Sequence, residues 1–158
     1  MPPVGDRERK KEAKGQRGRG AKADVERKKG KEIMGRIRTN IVIDGKPHWT
    51  LFDSGARNTY IVADLATSLP EQKLAEPEQV AMGGTVHQFD RICILTALVE
   101  DKPVWSSACV VDEIGNDEAG KRIEVLFGAL AMQRWGIVLR PEQEELDMSH
   151  YSKEFVEF

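Results

Sequence analysis

The sequence predicts a mainly β domain behind a charged N-terminal tail, on three observations. Ile37, Thr39, Ile41 and Ile43 alternate with Arg36, Arg38, Asn40 and Val42, the period of two expected of a half-buried strand. Two dipeptides, Asp44-Gly45 and Gly83-Gly84, interrupt strand-like runs where a two-residue hairpin turn needs positive φ. Two further runs, 92–99 and 104–111, are apolar on both faces, as strands are when covered on both sides, and Asp101-Lys102-Pro103 separates them.

The tail is defined by charge. Residues 1–32 hold 12 of the 24 Lys and Arg but only 6 of the 26 Asp and Glu, a net of +6 against −8 for the remainder. With almost no large apolar side chain, the segment cannot offset the entropy of ordering and is expected to be disordered. Its clusters Arg9-Lys10-Lys11, Arg17-Gly18-Arg19 and Arg27-Lys28-Lys29 suit a weak, non-specific contact with nucleic acid through residues 1–32. The interspersed acids and the lack of aromatics make a solvated tail the plainer reading. Residues 33–158 are then the folded domain, with Met34 an alternative start, and are enough for one core.

The elements follow in order. A strand from 36 to 43 turns at Asp44-Gly45 into 49–52, which delivers Asp53. Residues 62–69 read as a short helix stopped by Pro70. Strands at 79–82 and 85–89 flank Gly83-Gly84, and 112–122 is a polar loop. A strand at 124–127 runs into Gly128 and a short helix at 129–135. A strand at 137–139 and a turn at 141–144 lead to 145–148, leaving 151–158. Trp49, Trp105 and Trp135 read as core or interface residues.

Several chemistries are excluded by spacing. Ser54 is no nucleophile elbow, because Phe52 and Ala56 stand where glycines would be needed. No phosphate-binding Gly-x-x-x-x-Gly-Lys occurs, and His48, His87 and His150 share no metal-ligand spacing, so they read as surface or turn residues. No metal and no cofactor is expected. Cys93 and Cys109, both in apolar runs, read as buried free thiols. No apolar run approaches the about 20 residues that span a bilayer, so no membrane contact and a cytoplasmic location are expected.

Asp53-Ser54-Gly55 is what remains. It could be only a turn, but it leaves an apolar strand, Ala56 follows it, and about 70 residues later Leu126-Phe127-Gly128 opens a helix. An aspartate so placed can act on a peptide bond only beside a second carboxylate. The chain has no second Asp-Ser/Thr-Gly, so the partner would come from another copy.

Residues 34 to about 140 resemble the retropepsin-like aspartic proteases, the single-domain class typified by retroviral enzymes. Asp53-Ser54-Gly55-Ala56 resembles their active-site loop and Met82-Gly83-Gly84-Thr85 their flap. Leu126-Phe127-Gly128 resembles the segment against which that loop packs, and 129–136 the helix after it. The resemblance implies an acid-protease fold, a closed β-barrel with one short C-terminal helix, acting as a homodimer on a polypeptide substrate. Asp53 and its copy would share one proton and activate water. Ser54 would brace the loop across the twofold, Gly55 would admit close backbone approach, and Gly83 and Gly84 would let the flap bend.

The chain also departs from the retroviral pattern. Arg57 and Asn58 stand where those enzymes carry acidic residues, Ala129 where they carry an Arg, and Thr85 where the flap carries a bulky aliphatic. Two functions are therefore expected as alternatives. One is an aspartic endopeptidase active as a homodimer, with the narrower expectation that it removes its own tail near 32–35. The other is a catalytically silent dimeric binding or scaffold module whose tail recruits nucleic acid or an acidic partner.

Overall fold

The structure, a computed structural model, describes residues 35–154. The expectations for the 1–32 tail, for Met34 and for 155–158 lie outside the described residues. β1 (Arg36–Ile43) and β2 (Lys46–Asp53) form the first hairpin, paired from Ile43↔Lys46 at the turn to Arg36↔Asp53 at the open end. Asp44 and Gly45 both have positive φ, 49° and 77°, the conformation that a tight hairpin demands. Ile37, Ile41 and Ile43 are buried, so the alternating pattern points its apolar side inward.

Six further elements build on that hairpin: β3 (Tyr60–Val62), α1 (Ala63–Ala66), β4 (Glu71–Met82), β5 (Thr85–Val99), β6 (Lys102–Val111) and β9 (Val125–Phe127). The strands make one seven-stranded sheet in the order β1-β2-β9-β3-β6-β5-β4, and it bends until β1 meets β5 through Val42↔Leu98. The β2–β9 and β3–β6 pairs are parallel; β3–β9, β4–β5 and β5–β6 are antiparallel. α2 (Ala129–Trp135) follows β9. Two small hairpins, β7 (Gly115–Asn116) with β8 (Arg122–Ile123) and β10 (Val138–Arg140) with β11 (Glu145–Asp147), complete the described chain.

Neighbouring residues on β2 and β9 serve two apolar clusters. Phe52 and Phe127, their ring centroids 5.1 Å apart, join Ile41, Ile61, Leu95 and Trp135 in the main core. Leu51 and Leu126 join Tyr60, Phe89, Val111 and Ile123 in a smaller one. Because successive strand side chains point to opposite faces, Asp53 shares the face of Leu51. The parity of β2 thus assigns the aspartate to the smaller cluster's side of the sheet.

Several expectations need correction. The apolar runs in β5 and β6 are not covered on both faces. Cys93, Leu95, Ala97 and Val99 are buried, whereas Ile94 and Leu98 are 43% and 38% exposed and Trp105 is 50% exposed. The short α2 reaches Trp105, whose carbonyl accepts the Trp135 Nε1–H at 2.8 Å, and leaves these side chains exposed. Trp105 is therefore no core residue. The hairpin at Gly83-Gly84 is far longer than 79–89, since β4 begins at Glu71 and β5 continues through the apolar run 92–99. The helix expected at 62–69 shrinks to one turn, because Val62 belongs to β3 and the chain after Ala66 leaves the helix. The strand expected at 137–139 is displaced to Val138–Arg140, leaving Ile137 buried outside it. His48 is no turn residue; it lies in β2, partly buried, 3.0 Å from Glu124 Oε2.

Candidate active site

Asp53 ends β2, and the chain then reverses in a tight turn. The Ala56 N–H donates to the Asp53 carbonyl at 3.2 Å, and the Gly55 N–H donates to Asp53 Oδ1 at 2.8 Å. Asp53 itself is 9% exposed. A Cβ on Gly55 would lie 3.1 Å from that same Oδ1, so glycine leaves the carboxylate uncrowded. Ser54 points its N–H at the Gly35 carbonyl (2.9 Å), and its hydroxyl faces the same oxygen at 3.4 Å.

The loop after Asp53 is locked to the turn between β9 and α2. The Ala129 N–H donates to the Ala56 carbonyl (2.7 Å), the Leu130 N–H to the Arg57 carbonyl (3.1 Å), and the Gly128 N–H to Thr59 Oγ1 (3.1 Å). Gly128 has an ordinary φ of −93°, so its need is steric: a Cβ there would lie 2.1 Å from the Asn58 carbonyl oxygen. The fold thus brings Asp53-Ser54-Gly55-Ala56 against Leu126-Phe127-Gly128.

The β4–β5 hairpin stands across an open cleft of about 460 Å³ from this loop. Met82 and Gly83 line the cleft together with Leu51, Asp53, Ile123 and Leu126; Gly84 and Thr85 help to turn the hairpin without lining it. Gly83 and Gly84 have φ of 56° and 78°, and a Cβ on either would meet nothing within 4 Å. Their requirement is conformational, the opposite of Gly128.

Four features of the cleft and of the loop beneath it were not anticipated. Arg36 lies directly opposite Asp53 in the β1–β2 register, with its Nε 3.3 Å from Asp53 Oδ2. Arg38, two residues along on the same face, reaches Glu118 Oε1 at 2.6 Å. Their signal was available, since a two-residue turn at Asp44-Gly45 fixes which residue faces Asp53. Thr59, 3% exposed, left no such trace in the pattern.

The fourth feature is the loop 114–118, expected only to be polar, which forms a wall of the cleft. Asp117 shapes it by accepting the Lys121 and Ala119 N–H groups (2.8 and 3.0 Å) and Trp49 Nε1–H (2.9 Å). The Lys121 backbone bond, aided by Trp49 and Ala119, holds the Asp117 carboxyl below the usual carboxylate range. Lys121 caps the arrangement, its Nζ 4.1 Å above the Trp49 ring.

The cysteines lie elsewhere. Cys93 is buried and Cys109 partly so, and both are free thiols. Burial, the largest cause, pushes the Cys93 thiol up to about 11 and raises Cys109 as well, which keeps both in the un-ionised, weakly reactive form. Among the described residues no helix is long and apolar enough to cross a membrane.

Neither a protein-family model nor a curated protein sequence matches the chain. Solved structures do. The retroviral protease-like domain of Ddi1 from Leishmania major matches with a TM-score of 0.52 at 13% identity, over 73% of this chain and 90% of that one. The EIAV protease complexed with the inhibitor HBY-793 gives 0.49 at 16% identity, over 66% and 92%. The simian foamy virus (mac) protease gives 0.41 at 16% identity, over 61% and 91%. At these identities the likeness is one of architecture, and on the Ddi1 match the chain has a mainly β, retropepsin-like fold.

Proposed function

We propose that the chain is an aspartic endopeptidase, active as a homodimer in which each barrel-like domain supplies one Asp53. The observation that carries this reading is the setting of that carboxylate: nearly buried at the base of an open cleft, on a loop tied to the β9–α2 turn, opposite a glycine-tipped hairpin. A turn aspartate with no further role has no need of such an enclosure.

In the dimer the two Asp53 carboxylates share one proton, because close carboxylates resist double ionisation. The ionised one accepts a proton from water, which attacks the scissile carbonyl, while the protonated one donates to the carbonyl oxygen. No covalent enzyme intermediate forms. Met82, Gly83, Gly84 and Thr85 act as the flap, closing over an extended peptide and excluding water. Ser54 braces the paired loops, and Gly55 leaves room for substrate backbone.

The test compares wild type with Asp53→Asn on a random-sequence peptide pool from pH 4 to 7, with oligomeric state measured on the same samples. Cleavage by a wild-type dimer that vanishes in an equally dimeric variant is expected. A well-folded dimer that cleaves nothing would instead favour the silent binding module, a reading that the Arg36 guanidinium beside Asp53 supports by neutralising the carboxylate. Self-removal of the tail near 32–35 follows from the same proposal. Mass spectrometry should find the shortened chain in wild type but not in Asp53→Asn; equal shortening in both would assign the cut to a foreign protease.

A further inference from the structure

General acid–base catalysis between paired aspartates requires no arginine, yet the cleft places one beside Asp53. The register of the first hairpin puts it there. Arg36 and Arg38 share a face with Leu51 and Asp53, while Ile37 points into the core. The two arginines are not equivalent. Arg38 is paired with Glu118 at 2.6 Å and its side chain is 25% exposed. The Arg36 side chain is 47% exposed, reaches Asp53 through Nε at 3.3 Å, and forms no hydrogen bond among the described residues. Its two terminal nitrogens, the planar fork that fits a carboxylate, are therefore uncommitted at the cleft. Beside that fork the floor is apolar, formed by Leu51, Ile123 and Leu126 with Met82 across from them.

We propose that Arg36 selects the substrate: a polypeptide carrying Asp or Glu close to the scissile bond, its side-chain carboxylate held by the Arg36 fork, with an apolar neighbour on the Leu51–Leu126 floor. This rests on the endopeptidase reading above. An extended peptide alternates its side chains, so an acidic and an apolar residue two apart face the same wall. The incoming carboxylate also gives the guanidinium a second anionic partner, which loosens its hold on Asp53 as substrate arrives. Arg38 is less available, because its Nη2 already donates to Glu118 and its Nε is buried.

The experiment uses the full chain and C-terminally amidated peptides, so that a side chain is the only source of the carboxylate. Sets are matched in pairs that differ only by Glu, Gln or Lys near the centre. Wild type is expected to cleave the Glu peptides with a kcat/KM about tenfold or more above their Gln partners, the range of a charge-assisted hydrogen bond. Arg36→Gln should bring that ratio to about one, Arg36→Glu should turn it toward Lys, and Arg140→Gln, outside the cleft, should leave it unchanged. A wild-type ratio near one, or a ratio kept by Arg36→Gln, overturns the proposal.

Binding of the same peptides with the central amide reduced, read by fluorescence polarisation, separates the two claims. A Glu preference in binding that Arg36→Gln abolishes, without any cleavage, would keep the Arg36 site and sink the endopeptidase reading. Cleavage without a Glu preference in either measurement would do the reverse. Circular dichroism and thermal melting of each variant distinguish a lost fork from a lost fold.

Discussion

At the scale of single residues, the candidate site is held by contacts whose removal should fail for different reasons. Gly128 is required by space, since an added Cβ would lie 2.1 Å from the backbone oxygen of Asn58, and backbone on both sides leaves little to yield. Gly128→Ala is expected to lower stability by about 2–4 kcal/mol in urea denaturation and to abolish cleavage with it. Thr59→Val keeps the shape but leaves the Gly128 N–H without its acceptor, for about 1–3 kcal/mol, and Thr59→Ser should recover most of it. Gly84→Ala makes a useful contrast. Nothing lies within 4 Å of its Cβ, so only the positive φ opposes it, at about 1 kcal/mol. If Gly128→Ala proves as mild as Gly84→Ala, the close packing of the β9–α2 turn on the aspartate loop is wrong.

At the scale of elements, what was legible depended on whether burial leaves a period in the sequence. β1 and β2 could be read because one face is apolar and Asp44-Gly45 fixes the turn. The first half of β4 could not: from Glu71 to Glu78 it is an exposed edge with Pro77 and a register shift, so no alternation is selected. The cleft wall at 114–118 was hidden for a related reason. Besides the short β7–β8 pairing, its order comes from polar contacts, Asp117 capping its own loop and reaching Trp49 and Glu118 meeting Arg38, and such contacts leave no hydrophobic period. Asp117→Ala should therefore loosen the wall, raising KM more than it lowers kcat, with a changed Trp49 emission as the structural readout. The pH sign follows from the carboxyl lying below its usual range: the contribution is complete above the ordinary carboxylate value and is lost only as pH falls through the lowered one. The wall should thus persist across pH 4 to 7, and a KM that rose steeply between pH 7 and 5 would assign its order to some other group.

At the scale of the molecule, the order of the parts was readable: an aspartate loop, a glycine-tipped hairpin, then an apolar-apolar-Gly turn. The meeting of the first and third was expected only through the family resemblance and not from local pattern, because it depends on the parallel β2–β9 pairing, Thr50↔Val125 to Phe52↔Phe127, between segments far apart in sequence. With that pairing the chain carries one complete aspartate loop, and its sequence holds one Asp-Ser-Gly. The twofold partner is thus the strongest demand of the proposal, and it yields a quantitative test that needs no structure of the dimer. When wild type and Asp53→Asn are mixed in equal amounts and allowed to exchange subunits, twofold pairing distributes them statistically into two homodimers and a mixed dimer. If a shared site needs both carboxylates, only the wild-type homodimer works, and activity falls to about a quarter of that of the same total concentration of wild type. If each chain acted alone, activity would fall to about half, and the variant would merely dilute the enzyme. The two outcomes differ by twofold and are separable in one titration, with size measurements to show that exchange has occurred. A value of a half with exchange complete would remove the second Asp53 from the mechanism, and with it the reason for a dimer.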